Sequence, residues 1–505
     1  MVGRAATVAV VGLEPVPVVV EAHVGTGLPG FSVIGSSGSA ASQATHRVRT
    51  ALRAVGVTLS SRKFLVSLAP ADIPKTGARF DLAMAAALLV EEEKIAGQAL
   101  ERCVLLGELA LDGSVRPVTG VLPAAASLAG SDRRLLVADA NAAEAALVEG
   151  LEVVPISGLA EVVQVLRGEQ EPRPVPQGEA AGARSLCADL ADVRGQAEAR
   201  RALEIAAAGG HHLLLLGPPG CGKSMLAHRL VGILPPLTRA EALELAAVRS
   251  VAGLLPETGG LDQRPPLRAP HHSMSAASLL GGGNGVARPG ELSLAHRGCL
   301  FLDELFEWPR HLLESLREPL EEGVVRLARA RATVTYPALV QIVAAANPCP
   351  CGGGARCTCS DEAIWAYRSR LSGPLADRFD LAPSVARLSA AALLAGGEAE
   401  SSAAVAGRVA TARAMATQRW GAMNRQARPV ALRAVTRPTA LRVLADAVDT
   451  GALTGRGFDR ALRVARTCAD LESSEFVEPR HAFEALAHRM QLRACTQGVT
   501  MGVAG

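Results

Sequence analysis

The chain of 505 residues is 49% apolar but only 3% aromatic, enough for two to four domains whose cores must be built from Ala, Val and Leu. Lys and Arg number 52 against 49 Asp and Glu, a balance that neither demands nor excludes a nucleic-acid partner, so any such argument has to be local. The N-terminal stretch is broken by Gly12, Glu14, Pro15 and Pro17 with no basic segment leading into it, and the longest later apolar run, Leu82 to Val90, is far too short to span a bilayer; the expectation is a soluble, cytoplasmic protein with no membrane partner.

In chain order, residues 1–168 read as an α/β domain. Strand-like runs (Val18 to Val24, Lys63 to Leu68, Val104 to Leu106, Leu135 to Val137) alternate with helical patterns (Ala40 to Val55, Leu82 to Glu92, Ala142 to Val148). Residues 169–183, rich in Pro, Gly and Glu without a periodic apolar face, read as a linker. Apolar strands and amphipathic helices resume over 184–388. From 389 to 505 the strand signals fade, and Val405, Val409, Ala412 and Met415, then Phe458, Leu462, Val464 and Ala465, predict an all-helical region.

The segment 217–224, Gly217-Pro218-Pro219-Gly220-Cys221-Gly222-Lys223-Ser224, is a complete phosphate-binding loop. Lys223 is the only lysine after Lys94. The loop follows the apolar run His212 to Leu216 and precedes Met225, Leu226, Leu230 and Ile233, the strand-to-helix setting that the motif requires. Its backbone N–H groups can cradle the phosphates of ATP, Lys223 can reach the β and γ oxygens, and Ser224 can hold Mg²⁺.

Downstream, Cys299 to Leu302 is an apolar strand ending in Asp303 and Glu304. Asp303 suits the Mg²⁺ shell and Glu304 the polarisation of an attacking water. A third strand, Leu339 to Ala345, delivers Asn347 in a turn, where an amide can orient water; an Asn in a turn is otherwise simply a turn former. Arg378 lies well past the sheet, where it can reach a neighbouring subunit's nucleotide or serve as an ordinary surface ion-pair residue.

These residues resemble the AAA+ module shared by magnesium-chelatase ATPase subunits and minichromosome-maintenance helicases. Arg288 to Glu304, Leu316 to Gly323 and Ser372 to Asp380 closely resemble the ComM/YifB family of magnesium-chelatase-like ATPases, and the likeness runs over nearly the whole chain. The resemblance implies an AAA+ core with a parallel sheet and an all-α C-terminal lid. It makes Asn347 sensor 1, Arg378 an arginine finger acting across a homohexamer, and Arg456 the sensor 2 residue, with Arg460 and Arg463 close by. The N-terminal region resembles the Lon protease domain through Ala69 to Arg79 and Gly107 to Leu122, but Arg79 stands where Lon has its serine and Leu122 where Lon has its lysine. No Ser/Lys acyl transfer is expected.

Residues 323–336 alternate around a small-residue tip, predicting a β-hairpin. In the related helicases this hairpin grips DNA in the ring's pore, which makes Arg329 and Arg331 the candidate DNA contacts; an ordinary exposed hairpin is the alternative. From Arg387 onward sixteen arginines face ten acids, which fits either a DNA-facing surface or a solvated basic bundle. Of ten cysteines, four fall at Cys349, Cys351, Cys357 and Cys359, an arrangement able to close a tetrahedral Zn²⁺ site, or else free thiols or a redox-sensitive disulfide. The pair His271-His272 has no ligand partner at a recognisable spacing and reads as part of an insert without an assigned role. The function expected from the resemblance is an ATP-hydrolysing hexameric ring motor on double-stranded, forked or branched DNA, a helicase for branch migration in natural transformation. The alternative is a chelatase-type or regulatory ATPase that remodels a protein.

Overall fold

A computed structural model describes residues 2–497 except 27, 29, 36–37, 58, 60–61, 76, 177–187, 256–259, 284, 330–331, 354–356 and 389–398. Two separate sheets organise it. The first has seven strands in the order Gly30–Ile34, Lys63–Ala69, Glu14–Gly25, Gly3–Val11, Cys103–Leu106, Arg134–Ala138, Glu152–Ile156. Its last three strands run parallel, as βα repeats require, while Gly3–Val11 and Glu14–Gly25 pair antiparallel through a turn at Gly12-Leu13. Gly12 takes φ +67° there, and a Cβ on it would stand 3.0 Å from the Cβ of Val334 in the distant hairpin, so glycine serves both the turn and the approach.

The helix Asp81–Glu91 lies beneath this sheet and is buried on nearly every side, from Leu82 to Val90. Small side chains allow it: Ala83, Ala85, Ala86 and Ala87 bring its backbone so close that a Cβ at Gly3 would stand 2.1 Å from the Ala87 carbonyl oxygen. A core almost without rings therefore closes through near-contact of backbones.

The second sheet is parallel, in the order Leu213–Leu216, Gln341–Ala346, Cys299–Leu302, Leu267–Arg268. The strands Leu213–Leu216, Gln341–Ala346 and Cys299–Leu302 are wholly buried, as expected of a sheet covered on two faces. Leu213 and Leu216 also bridge to Leu381 and Ser384 on the outer side. One continuous core joins this sheet to the helices Ala197–Gly209, Ser402–Trp420 and Gly455–Leu471. Among the described residues no helix is long and apolar enough to cross a membrane.

Some of the C-terminal arginines act as internal fasteners, while Arg428, Arg433, Arg437, Arg442, Arg456 and Arg480 are exposed, so part of the positive excess lies at the surface. Arg408, Arg419, Arg466 and Arg489 form ion pairs with Glu204, Asp470, Asp470 and Asp377. Arg413 and Arg463 donate to the carbonyls of Ala207 and Ala427. Helix breaks and interhelical gaps in an alanine-rich bundle leave bare carbonyls, and long guanidinium arms reach them.

Asp380 anchors another such junction. It is 2% exposed, accepts from Arg460 at 2.9 Å and from the His212 backbone N–H at 3.1 Å, and has His211 Nδ1 at 3.6 Å. Burial alone would raise its carboxyl, but Arg460 and the two histidines outweigh that and hold it well below the usual carboxylate range. Arg460→Met strands this charge and is expected to lower unfolding free energy by about 3 kcal/mol, read as a shifted urea midpoint. Arg456→Met, at an exposed position one turn earlier, is expected to leave the midpoint unchanged.

Candidate functional site

The register of the second sheet assembles the site. Leu216 pairs with Ala346, and Leu302 pairs with Ala344. Three chain segments therefore leave the carboxyl edge together: the loop 217–222, Asp303 with Glu304, and Asn347. Ligands bind at this edge of parallel sheets, and here the loop is followed by the helix Lys223–Leu230. They line a cavity of about 390 Å³ together with Pro219, Gly220, Gly222, Lys223, Ser224, Met225, Ala345 and Ala346.

Glycine shapes the loop where no other residue fits. A Cβ at Gly217 would stand 2.2 Å from the Val385 carbonyl oxygen, and Gly220 and Gly222 adopt φ +75° and +97°. Lys223 folds back so that Nζ donates to the carbonyls of Gly217 at 2.7 Å and Pro218 at 2.9 Å and to Asn347 Oδ1 at 3.0 Å. Burial lowers the Lys223 ammonium from its ordinary range, partly offset by Cys221, Asp303 and Glu304. Ser224 Oγ donates to Asp303 Oδ2 at 2.9 Å, so both oxygens can enter the shell of one Mg²⁺. Cys221 is buried beneath the loop.

Glu304 sits in the left-handed region at φ 50°, an uncommon conformation for a residue with a Cβ. Its own N–H donates to Asp303 Oδ1 at 2.9 Å, and the indole of buried Trp308 donates to the Asp303 carbonyl at 3.0 Å, which together fix the bend. His272 Nδ1 lies 3.2 Å from Glu304 Oε2, with the His271 ring centroid 4.1 Å from its own and tilted by 33°. The sequence offered only a conspicuous His-His pair as a signal for this contact.

The other candidates stand apart from the cavity. Arg378 is ion-paired at 2.5 Å to Glu321 and Arg456 is exposed, and among the described residues no arginine lines the nucleotide cavity. Arg460, its neighbour one turn on, is committed to Asp380 and to the Arg378 carbonyl. The hairpin forms as expected from Val324–Arg329 and Ala332–Pro337, and Arg329 near its tip is exposed. Arg331 lies outside the described residues.

The four cysteines gather immediately beyond Asn347, with all four Sγ atoms within 4.8 Å of one another. Cys349 and Cys351 are 3.3 Å apart, Cys349 and Cys357 3.5 Å, and Cys351 and Cys357 3.6 Å. Four thiolates around one zinc at about 2.3 Å stand about 3.8 Å apart, so this set fits the ion. A hydrogen bond from Gly353 N–H and the neighbouring thiols hold Cys351 down to about 6, while burial pushes Cys349 up to about 12.

The cysteine loop touches the phosphate loop. Gly352 has φ +91°, and a Cβ there would stand 2.6 Å from Pro219 Cδ. Gly352→Ala is expected to displace the loop and weaken Mg-nucleotide binding about tenfold, the scale of forcing an alanine into left-handed backbone. Titration with a fluorescent ATP analogue measures it; unchanged affinity would mean that the two loops move independently.

Comparison with known proteins agrees with this geometry. The family "Magnesium chelatase, subunit ChlI" matches residues 189–393, "Subunit ChlI of Mg-chelatase" matches 20–141, and "Magnesium chelatase, subunit ChlI C-terminal" matches 399–489. An uncharacterized protein of Mycobacterium tuberculosis is 46% identical over 482 residues, covering 93% of this chain and 95% of the relative. YifB of Salmonella typhimurium, also uncharacterized, is 41% identical over 490 residues, 96% of each chain. Competence protein ComM of Haemophilus influenzae is 40% identical over 495 residues, covering 95% of this chain and 96% of the relative. The chain belongs to the magnesium-chelatase ChlI family, is similar to YifB and ComM over nearly all of both chains, and is an AAA+ ATPase of that family.

Proposed function

We propose that the chain is the subunit of a homohexameric, ATP-driven ring motor that acts on double-stranded, forked or branched DNA in the cytoplasm and promotes branch migration. The observation that carries the ring is an incomplete site: among the described residues Lys223 is the one cation lining a cavity that also holds two acids, and no arginine joins it. Phosphoryl transfer needs further positive charge on the transferring group. Arg378, from the adjoining subunit, is the residue proposed to supply it, after release from Glu321. Arg456 is proposed as the lid residue that follows the nucleotide state.

Within one subunit, Ser224 and Asp303 would hold Mg²⁺, which supplies Lewis-acid charge neutralisation between the phosphates. Glu304 would polarise water, with His272 orienting its carboxylate, and Asn347 would align that water. Residues 1–168 are proposed as a non-proteolytic scaffold, 169–183 as a linker, 184–388 as the motor core and 389–505 as the lid. The DNA part of the proposal rests on the hairpin that carries exposed Arg329 near its tip, with Arg331 next to it in the sequence, and on a relative that carries the name competence protein. That name also supports a role in handling incoming DNA during transformation.

Glu304→Gln is expected to bind ATP with parental affinity and to lose at least about a hundredfold in turnover, the ordinary scale of general-base removal. Parental turnover in steady-state assays would remove Glu304 from the chemistry. The Arg329→Ala/Arg331→Ala variant is expected to keep basal ATPase and lose its stimulation by forked DNA, with parental binding falling steeply as salt rises; stimulation at the parental level would remove the hairpin. A protein-remodelling ATPase would hydrolyse ATP without any response to DNA.

The cysteine cluster is proposed to hold one structural Zn²⁺ that fixes the loop behind Asn347 and beside Pro219. Metal analysis is expected to find about one equivalent of zinc, lost in Cys351→Ser; less than about a tenth of an equivalent in the parent would sink the assignment.

A further inference from the structure

We propose that a second cleft, between the first sheet and the motor core, binds a small organic anion that carries a carboxylate or phosphate group, held by Arg79 and Arg288. The cleft encloses about 420 Å³, and its walls include Arg79, Glu108, Thr119, Val251, Arg288 and Tyr336. That volume is in the range of small-molecule pockets and much larger than a bare phosphate ion needs. It shares no lining residue with the nucleotide cavity.

The chemistry comes from Arg79. Its Nη2 donates to the Thr119 carbonyl oxygen, but Nη1 is buried and has no hydrogen-bond partner. Burial lowers this guanidinium to about 10, partly offset by Glu144, so it stays cationic at neutral pH. Glu144 is already committed: it accepts from the Leu122 N–H at 2.9 Å, from Asn141 Nδ2 at 3.2 Å and from Ser250 Oγ. A buried donor without an acceptor costs on the order of 1–3 kcal/mol, more when charged, and a turn of the guanidinium that brings Nη1 to a ligand oxygen in the cleft would recover it.

Arg288 adds a second, exposed cation on the core side of the same cleft, close enough to the Tyr336 phenol to act on it electrostatically. Glu108 supplies an acceptor on the opposite side of the interface. The combination selects an anion with a hydrogen-bond donor elsewhere in the molecule over a simple dianion.

Calorimetric titration of the full chain with O-phospho-L-serine and with L-malate tests the site and separates a phosphate from a carboxylate ligand. At least one probe is expected to bind, with affinity reduced at least about tenfold in Arg79→Gln and in Arg288→Gln and unchanged in Lys223→Ala. Should Arg79→Gln fail to fold, the exposed Arg288→Gln decides alone. No binding of either probe, binding that survives both arginine substitutions, or binding lost only in Lys223→Ala would overturn the proposal; the last result would place the anion in the phosphate loop and leave the motor reading intact.

Discussion

The site depends on one constraint, the in-register parallel pairing of three buried strands. Because Leu216 stands beside Ala346 and Leu302 beside Ala344, the phosphate loop, the Asp303-Glu304 pair and Asn347 emerge from one edge at one height. Strand side chains alternate faces, so a slip of one residue would turn each of these groups away from the others. The contacts Lys223–Asn347 and Ser224–Asp303 are thus cross-strand contacts continued past the ends of the strands.

Beyond that edge the phosphate loop is held from two sides. Beneath it, Gly217 lies against the Val385 carbonyl and Cys221 is buried; above it, Gly352 of the cysteine loop lies against Pro219. Lys223, satisfied by two carbonyls of its own loop and by Asn347, has its ammonium pre-positioned and must exchange these partners for phosphate oxygens. A lysine kept desolvated and already oriented needs less reorganisation when an anion arrives.

Much of this was legible in the sequence because the motifs sit at the ends of short apolar strands, where local pattern and local chemistry coincide. Leu213–Leu216, Cys299–Leu302 and Gln341–Ala346 each announce themselves as apolar runs, and the hairpin announces itself by alternation. What depends on distant partners was not legible. The strand Gly3–Val11 looks like an interrupted apolar stretch until Glu14–Gly25 pairs with it. His272 acquires meaning only beside Glu304. Arg408, Arg413 and Arg489 read as part of a basic surface because their partners, at Glu204, Ala207 and Asp377, lie far away in the chain.

The contact between Gly12 and Val334 joins the turn of the first sheet to the base of the hairpin, while Tyr336 on the same strand donates to the Ala287 carbonyl at 2.7 Å. Val11, Leu13 and Val251 pack into the same cluster. The hairpin is therefore a lever with its fulcrum at the domain junction and a short free arm bearing Arg329. Load applied at the tip is borne by the N-terminal sheet as well as by the strand that delivers Asn347, so the two sheets are mechanically in series through the base of the hairpin.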